Sequence, residues 1–398
     1  MFTLRCRLDP DLKKIVKDKS YKNIRILICC KTLQKKVESK IKGYGGKIIR
    51  TIPSINCICA VASPKVIDRL LEYPNINYIT FDSYAFLCGY SVMASNGISF
   101  EEKYKLTGKG ICIGLIDSGV YPHTDLLNPQ NKIKKFMDLI NDYKYPYDDN
   151  GHGTFISGIL CGSGHLSKGM YKGIAENSSL YCIKAFNNLG RGFISDILYS
   201  IEKLIEEREE LNIKVICLPF EITQNNDFIL SLFSKLFKEA SDKGMVVIVP
   251  AGHNGNNECS MRGIAILDNC ITVGGLDTTS SIPKPYINSS CGPANKINKP
   301  DISAACVDIC SLNSNIGYIS EKNNMKVYPQ TLEIPYTTYT GTSCAAAYIS
   351  GICALLYENN PNLTFRDITS LLKISGKLMD MSKWLQGHGT IDLNKLLP

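Results

Sequence analysis

Three short motifs supply an acid, a base and a nucleophile, in that order along the chain. Asp117-Ser118-Gly119 closes an apolar strand, Gly151-His152-Gly153-Thr154 follows, and Gly341-Thr342-Ser343 opens a run of small residues, Cys344-Ala345-Ala346-Ala347. An imidazole held by a carboxylate can take the proton of a serine hydroxyl and hand it to a leaving amine, so the trio points to acyl transfer. Each motif also has a plain structural reading: an aspartate ending a strand, a histidine in a glycine turn, a serine capping a helix. Together they outweigh those separate readings.

The elements that must position them are legible as alternating patterns. Apolar runs at 111–116, 179–185, 215–218, 245–249 and 271–273 read as strands, separated by helical patterns around 154–161, 193–210 and 228–242. This predicts a mainly parallel sheet covered on both faces, with functional residues at the carboxyl ends of strands. Asp117 stands at such an end. Thr154 reads as a helix N-cap, which places His152 near a positive dipole end that keeps its imidazole neutral. Ser343 falls at the amino end of a helix over 344–357, whose free N–H groups suit an oxyanion. Upstream, residues 24–30, 47–53, 56–62 and 76–81 read as strands, and 31–41 and 64–71 as helices. That βαββαβ order predicts a small sheet with two helices on one face. The stretch 83–97 has little periodicity and marks a junction.

The 398 residues are 44% apolar and 21% charged, the balance of a globular protein with a sizeable core. No apolar run reaches the roughly 18 residues of a membrane span, and Met1 to Arg7 lead into aspartates and lysines without an apolar signal core. Seventeen cysteines, an odd number, stand mostly inside hydrophobic runs without CxxC spacing. They predict free, buried thiols in a reducing compartment rather than zinc ligands. A cytoplasmic protein without a signal peptide is therefore expected. The net charge is +8, and residues 1–88 hold 17 Lys/Arg against 7 Asp/Glu. That basic front lacks the aromatic interleaving of a nucleic-acid surface, so neither nucleic acid nor membrane is expected as a partner. The glycines nowhere form a phosphate loop, which sets a nucleotide-binding protein aside.

With these motifs the chain resembles the subtilisin-like serine peptidases of family S8, and most of all their cytoplasmic bacterial branch. Asp117 through Asp125-Leu126, Tyr147 through Thr154, and Gly341-Thr342-Ser343 are similar to the three catalytic motifs. Lys172-Gly173-Ile174-Ala175, Lys299-Pro300-Asp301-Ile302, and Asn360-Pro361 with Leu363-Thr364 support the likeness. The resemblance implies an α/β, three-layer αβα fold with a mainly parallel sheet over 105–398. It implies a small α+β, ferredoxin-like inhibitory propeptide over 1–88 and a linker, 89–104, that becomes the new N-terminus. The implied activity is that of a serine endopeptidase using Asp117, His152 and Ser343, with its own propeptide and polypeptide substrates as partners. No cofactor is required, and a structural calcium site is not traceable in the sequence. Cys88-Gly89 is the implied self-cleaved bond, with Ala85-Phe86-Leu87-Cys88 filling the acyl side of the cleft.

Departures from the family pattern bear on the substrate. Where the family has Ser-Leu-Gly lining the cleft, this chain follows Leu218 with Pro219-Phe220-Glu221, removing an N–H and adding a charge. Ala251-Gly252-His253-Asn254-Gly255 stands where the family places an oxyanion-donating asparagine. Without a gap His253 is the donor, beside the Ser343 backbone N–H; with a shift of one residue Asn254 is. Phe155, Cys344 and Ala347 replace a His, a Met and a Pro. Two functions stay open: an endopeptidase of low or narrow activity, or a degenerate relative limited to self-cleavage and serving as a binding or regulatory protein.

Overall fold

The computed structural model describes residues 7–18, 21–31, 35–87, 90–91, 106–280, 282–292 and 298–397. Cys88 and Gly89 lie outside the described residues. The chain divides into two compact units, Met1–Tyr84 with Phe193–Glu202, and Ala85–Gly192 with Lys203–Pro398.

The first unit runs α1 (Pro10–Asp18), β1 (Ile24–Cys30), α2 (Lys35–Gly43), β2 (Lys47–Ile52), β3 (Cys57–Ala62), α3 (Pro64–Leu71) and β4 (Ile76–Phe81). Its strands pair in the order β2-β3-β1-β4, all antiparallel. Alternation explains the core: Ile24, Ile26, Ile28 and Cys30 share a cluster with Ile58, Ala60 and Ala62 and with Val37, Ile41, Val66, Ile67 and Leu70 of α2 and α3. The helix α1 was not anticipated; its Leu12 and Val16 join the same cluster. On the other face, the Arg25 guanidinium donates to Asp82 (2.5 Å) and Asp196 (3.0 Å), and Arg50 donates to Asp196 (2.6 Å). The buried Asp82 carboxylate also accepts the Ser195 backbone N–H at 2.7 Å and the Ser195 hydroxyl. Residues 193–202 are grouped with this unit.

The second unit begins with β5 (Tyr84–Leu87), β6 (Tyr90–Ser91), β7 (Cys112–Asp117), α4 (Thr124–Leu127), β8 (Ile133–Asp138), α5 (His152–Cys161), β9 (Ser179–Lys184) and β10 (Arg191–Phe193). The chain continues through α6 (Ile194–Glu206), whose residues to Glu202 belong to the first unit, then α7 (Arg208–Leu211), β11 (Ile213–Cys217), β12 (Phe220–Glu221), α8 (Asp227–Asp242), β13 (Val246–Pro250), β14 (Ile271–Asp277), β15 (Lys284–Pro285) and β16 (Ile302–Ala305). Then come β17 (Ile309–Leu312), the hairpin β18 (Glu321–Lys322) and β19 (Met325–Lys326), β20 (Tyr336–Thr340), and α9 (Thr342–Asn359), followed by helices Phe365–Ile374, Lys383–Gln386 and Leu393–Leu396 and a short strand pair, Gly376–Lys377 with Thr390–Ile391.

The central sheet runs β15-β14-β13-β11-β7-β9-β8, with β16 beside β14. Its pairings are parallel except that of β14 with β15. Every residue of β7 is buried, as its unbroken apolar run requires of a strand covered on both faces. Helices α5 and α9 share a core with Ile113, Leu115, Val215, Val246 and Ile248. The alanines after Ser343 let α9 lie close on the sheet and are strong helix formers. With α8 packed on β13, the unit has the expected three layers. Two small sheets flank it, β10-β5-β12 and β17-β20-β6.

Candidate active site

Asp117 emerges at the carboxyl end of β7, His152 begins α5, and Ser343 is the second residue of α9. The three converge. His152 Nδ1 stands 2.9 Å from each Asp117 carboxylate oxygen, and His152 Nε2 stands 3.2 Å from Ser343 Oγ. All three side chains are buried. Burial pushes the Asp117 pKa up, against the pull of His152, so the carboxylate depends on the imidazole beside it. Asp117 Oδ1 also accepts the Ser118 backbone N–H at 2.6 Å.

Two glycines permit the approach. A Cβ on Gly153 would lie 2.1 Å from the Gly119 carbonyl oxygen and 3.1 Å from Asp117 Cβ, so only glycine lets α5 start against the Asp117 turn. Gly119 itself has φ +122° and would drive a Cβ to 2.2 Å from the Tyr147 carbonyl oxygen.

The helix starts at His152, two residues earlier than the sequence predicts, and Thr154 does not cap it. Asp148 does: its carboxylate accepts the Gly151 N–H (2.8 Å), the Thr154 N–H (2.8 Å), the Thr154 hydroxyl (2.6 Å) and the Ser118 hydroxyl (2.9 Å). Lys184, its side chain fully buried, completes the frame. Its ammonium donates to the Ser118 carbonyl (2.5 Å), Asp149 (2.6 Å) and the Phe186 carbonyl (3.0 Å). These two residues join the loop after Asp117 to the loop before His152. The sequence motifs did not single out Lys184; for the cap, an aspartate three positions before the helix-opening Gly151 was the available signal.

The residues expected to line the cleft divide by role. Leu218, Pro219 and Phe220 are buried, with Phe220 packed on Phe186 at 5.1 Å between centroids, so β12 presents mainly its backbone. That backbone pairs antiparallel with β5, Phe220 opposite Leu87 and Glu221 opposite Phe86. The Glu221 carboxylate does not project into the cleft as a free charge. It accepts the His253 backbone N–H at 2.8 Å and reaches the Asn254 amide nitrogen at 3.4 Å. Ala251 and Gly252 are buried, and a Cβ on Gly252 would lie 2.8 Å from the same carboxylate. Asn254 turns to Ser290 and Glu221, whereas His253 keeps a buried Nδ1 without a hydrogen-bond partner among the described residues. Burial lowers the His253 pKa, against Glu221.

Cys344 sits beside the nucleophile, but burial pushes its thiol up to about 12, which removes it as a competing thiolate. Among the described residues no group of three or more His, Cys, Asp or Glu could hold a metal ion, and no described helix is long and apolar enough to cross a membrane.

Comparison with known proteins places this geometry. The model described as "Subtilase family" matches residues 108–389. Serine protease AprX of Bacillus subtilis (strain 168) is 32% identical over 381 residues, covering 92% of this chain and 83% of that protein. Subtilisin DY of Bacillus licheniformis is 26% identical over 299 residues, covering 72% of this chain and 90% of its own. The solved structure of the epidermin leader peptide processing serine protease of Staphylococcus aureus shares the fold, with TM-score 0.72 at 18% identity over 94% of this chain and 99% of that one. The expected cytoplasmic location is overturned, because the subtilisins among these relatives are secreted, extracellular proteins. The cysteine argument behind it misled for a physical reason. Most described thiols are buried, and burial raises their pKa, to about 11 at Cys112 and about 12 at Cys161, so their number does not report a compartment.

Proposed function

The chain belongs to the subtilase family of serine endopeptidases, and on that premise we propose that it is an autoprocessing peptidase carrying an inhibitory propeptide over residues 1–88. The observation that carries the chemistry is His152, held between Asp117 and Ser343 at 2.9 and 3.2 Å. His152 Nε2 takes the Ser343 proton as Oγ attacks the scissile carbonyl, and returns it to the leaving amine. Asp117 fixes the tautomer and stabilises the imidazolium. Water, activated by the same imidazole, then hydrolyses the acyl-enzyme. The Ser343 backbone N–H and an His253 N–H form the oxyanion hole. The turn of Asn254 toward Glu221 and Ser290 supports His253 over Asn254.

The βαββαβ unit supports a ferredoxin-like propeptide, with 89–104 as linker and 105–398 as the catalytic domain. Self-cleavage is assigned to Cys88-Gly89. Supporting it, β5 pairs with β12 just before that bond, and β6 pairs with β20 just after it, Ser91 opposite Tyr339 and Tyr90 opposite Thr340. Backbone pairing on both flanks is how an extended substrate strand is held. A second reading, a protein that cuts only itself, draws on Glu221, whose carboxylate occupies the edge of the acyl-side strand and ties down the 253–254 backbone.

Expression of wild type beside Ser343→Ala tests both. The wild type is expected to yield a new N-terminus at Gly89 and the variant to stay full length. A mature N-terminus before Tyr84 or beyond Ala94 would discard the register. A fluorophosphonate that fails to label purified, propeptide-free wild type would favour the self-limited protein.

A further inference from the structure

Asp117 leaves the carboxyl end of a parallel strand, whereas Lys299 and Pro300 lead into the amino end of β16. The cavity of about 470 Å³ that they help to line therefore lies on the other rim of the sheet from the triad. Helix Phe365–Ile374 and the turn after helix Lys383–Gln386 supply its other walls. These are tied together: the His388 N–H donates to the Asp301 carbonyl at 3.0 Å, and a Cβ on Gly387, at φ +60°, would lie 2.3 Å from the Pro300 carbonyl oxygen. Asp301 accepts the Lys373 ammonium at 3.0 Å on Oδ1, while its Oδ2 accepts the Lys299 ammonium at 2.6 Å and the Thr272 N–H at 2.9 Å. One carboxylate thus serves two cations. Lys383 is exposed and has no ion-pair partner among the described residues. His388 stands in the same field: burial, Lys373 and Lys383 lower its pKa, with Asp301 opposing. Neither Asp301 nor Asp268, whose charges act on Lys299, lines the cavity, and no other described carboxylate does. Beside these cations Trp384 is 44% exposed and Leu378 59% exposed.

Walls that carry lysines and no carboxylate draw in an anion. The size argues for more than a bare ion, since cavities of several hundred Å³ take organic molecules, and the indole and leucine offer a face to an apolar body. We propose that this cavity binds an organic anion, its charged group held by Lys373, Lys383 and His388 and its flat apolar body lying against Trp384 and Leu378. A neutral His388 still donates one ring N–H to such a group. The anion has two sources, a small aromatic acid or the C-terminal carboxylate of a peptide that ends in an apolar residue. The inference does not depend on the cleavage chemistry proposed for Ser343.

Trp384 is the one tryptophan of the chain, so its fluorescence reports on this cavity directly. The full-length Ser343→Ala chain is titrated with 3-phenylpropionate and with N-acetyl-leucyl-phenylalanine, each as the free acid and as the amide, and calorimetry repeats each titration. At least one acid is expected to change the emission along a saturating curve with Kd below about 1 mM, and its amide to bind about tenfold more weakly. The tighter acid identifies the source. Lys383→Gln should weaken that acid about fivefold, and Lys383→Arg, which keeps the charge, should bind it nearly as well as the parent chain. Three results overturn the site: a Kd above about 1 mM for both acids by both methods, an amide that binds as tightly as its acid, or an affinity unchanged in Lys383→Gln. Inorganic phosphate that binds as tightly as the better acid overturns the apolar half of the proposal. Each outcome is independent of whether Ser343 cleaves anything, since the nucleophile is absent from the chain under test.

Discussion

The two sides of the candidate site are built differently. On the acid-base side, Asp117 and His152 sit in a buried network in which Ser118, Asp148 and Lys184 each bridge between the two loops, and glycines set the spacing. On the opposite side, the 251–255 loop is tied through backbone groups to Val273, Asn288, Ser290 and Glu221, and His253 keeps one ring nitrogen without a partner among the described residues. Redundant buried bonds hold the geometry that every substrate needs. The opposite side is held mainly through its backbone, which survives a change of side chain, so single substitutions at His253 should tune activity rather than abolish it.

Breaking the first side should have the largest effect. Asp117→Asn preserves shape but reverses the tautomer preference of His152, and kcat is expected to fall about 10⁴-fold with KM little changed. A loss below about tenfold would mean that Asp117 does not orient the imidazole. The second side should respond in the opposite direction. His253→Asn restores an amide donor, and turnover of a peptide thioester is expected to rise, by up to about 10²-fold. A flat or lower turnover would transfer the donor role to Asn254.

The smallest expected effect is on stability. Burial lowers the His253 pKa below its ordinary 6.5, with Glu221 opposing. As pH falls through that ordinary value, the unfolded chain takes up a proton there while the folded chain stays neutral. Stability from this group is therefore present above 6.5 and lost on acidification toward the folded pKa. Between about pH 7.5 and about pH 5.5, wild type should lose more Tm than His253→Asn. Parallel curves would break the assignment of a neutral, half-buried imidazole.

The triad was legible because each member carries a local signature: a strand end, a glycine turn, a small-residue helix. The helix α3 matched its sequence bounds because Pro64 fixes its first residue. Other features were hidden for physical reasons. Lys184 falls inside the strand read over 179–185, and nothing local says that its ammonium will meet Asp149 and the Ser118 carbonyl from loops distant in the chain. Glu221 reads as an intrusion into the cleft, yet the partner that turns it aside lies 32 positions away. The 313–335 excursion lacks periodicity, because tyrosine packing and not a repeating stripe fixes it. The α1 helix is charged on most of its surface and shows its two core residues only once the sheet is known.

The pairings of β5 with β12 and of β6 with β20 clamp the chain on both flanks of residues 88 and 89. Two ends held in this way face each other at a high effective concentration, far above that of free peptides. If the chain is cut there, as proposed, hydrolysis is readily reversed by religation for as long as both flanks stay paired. The cut would then become irreversible only with the departure of one flank, and each flank is held by two paired residues on the neighbouring strand.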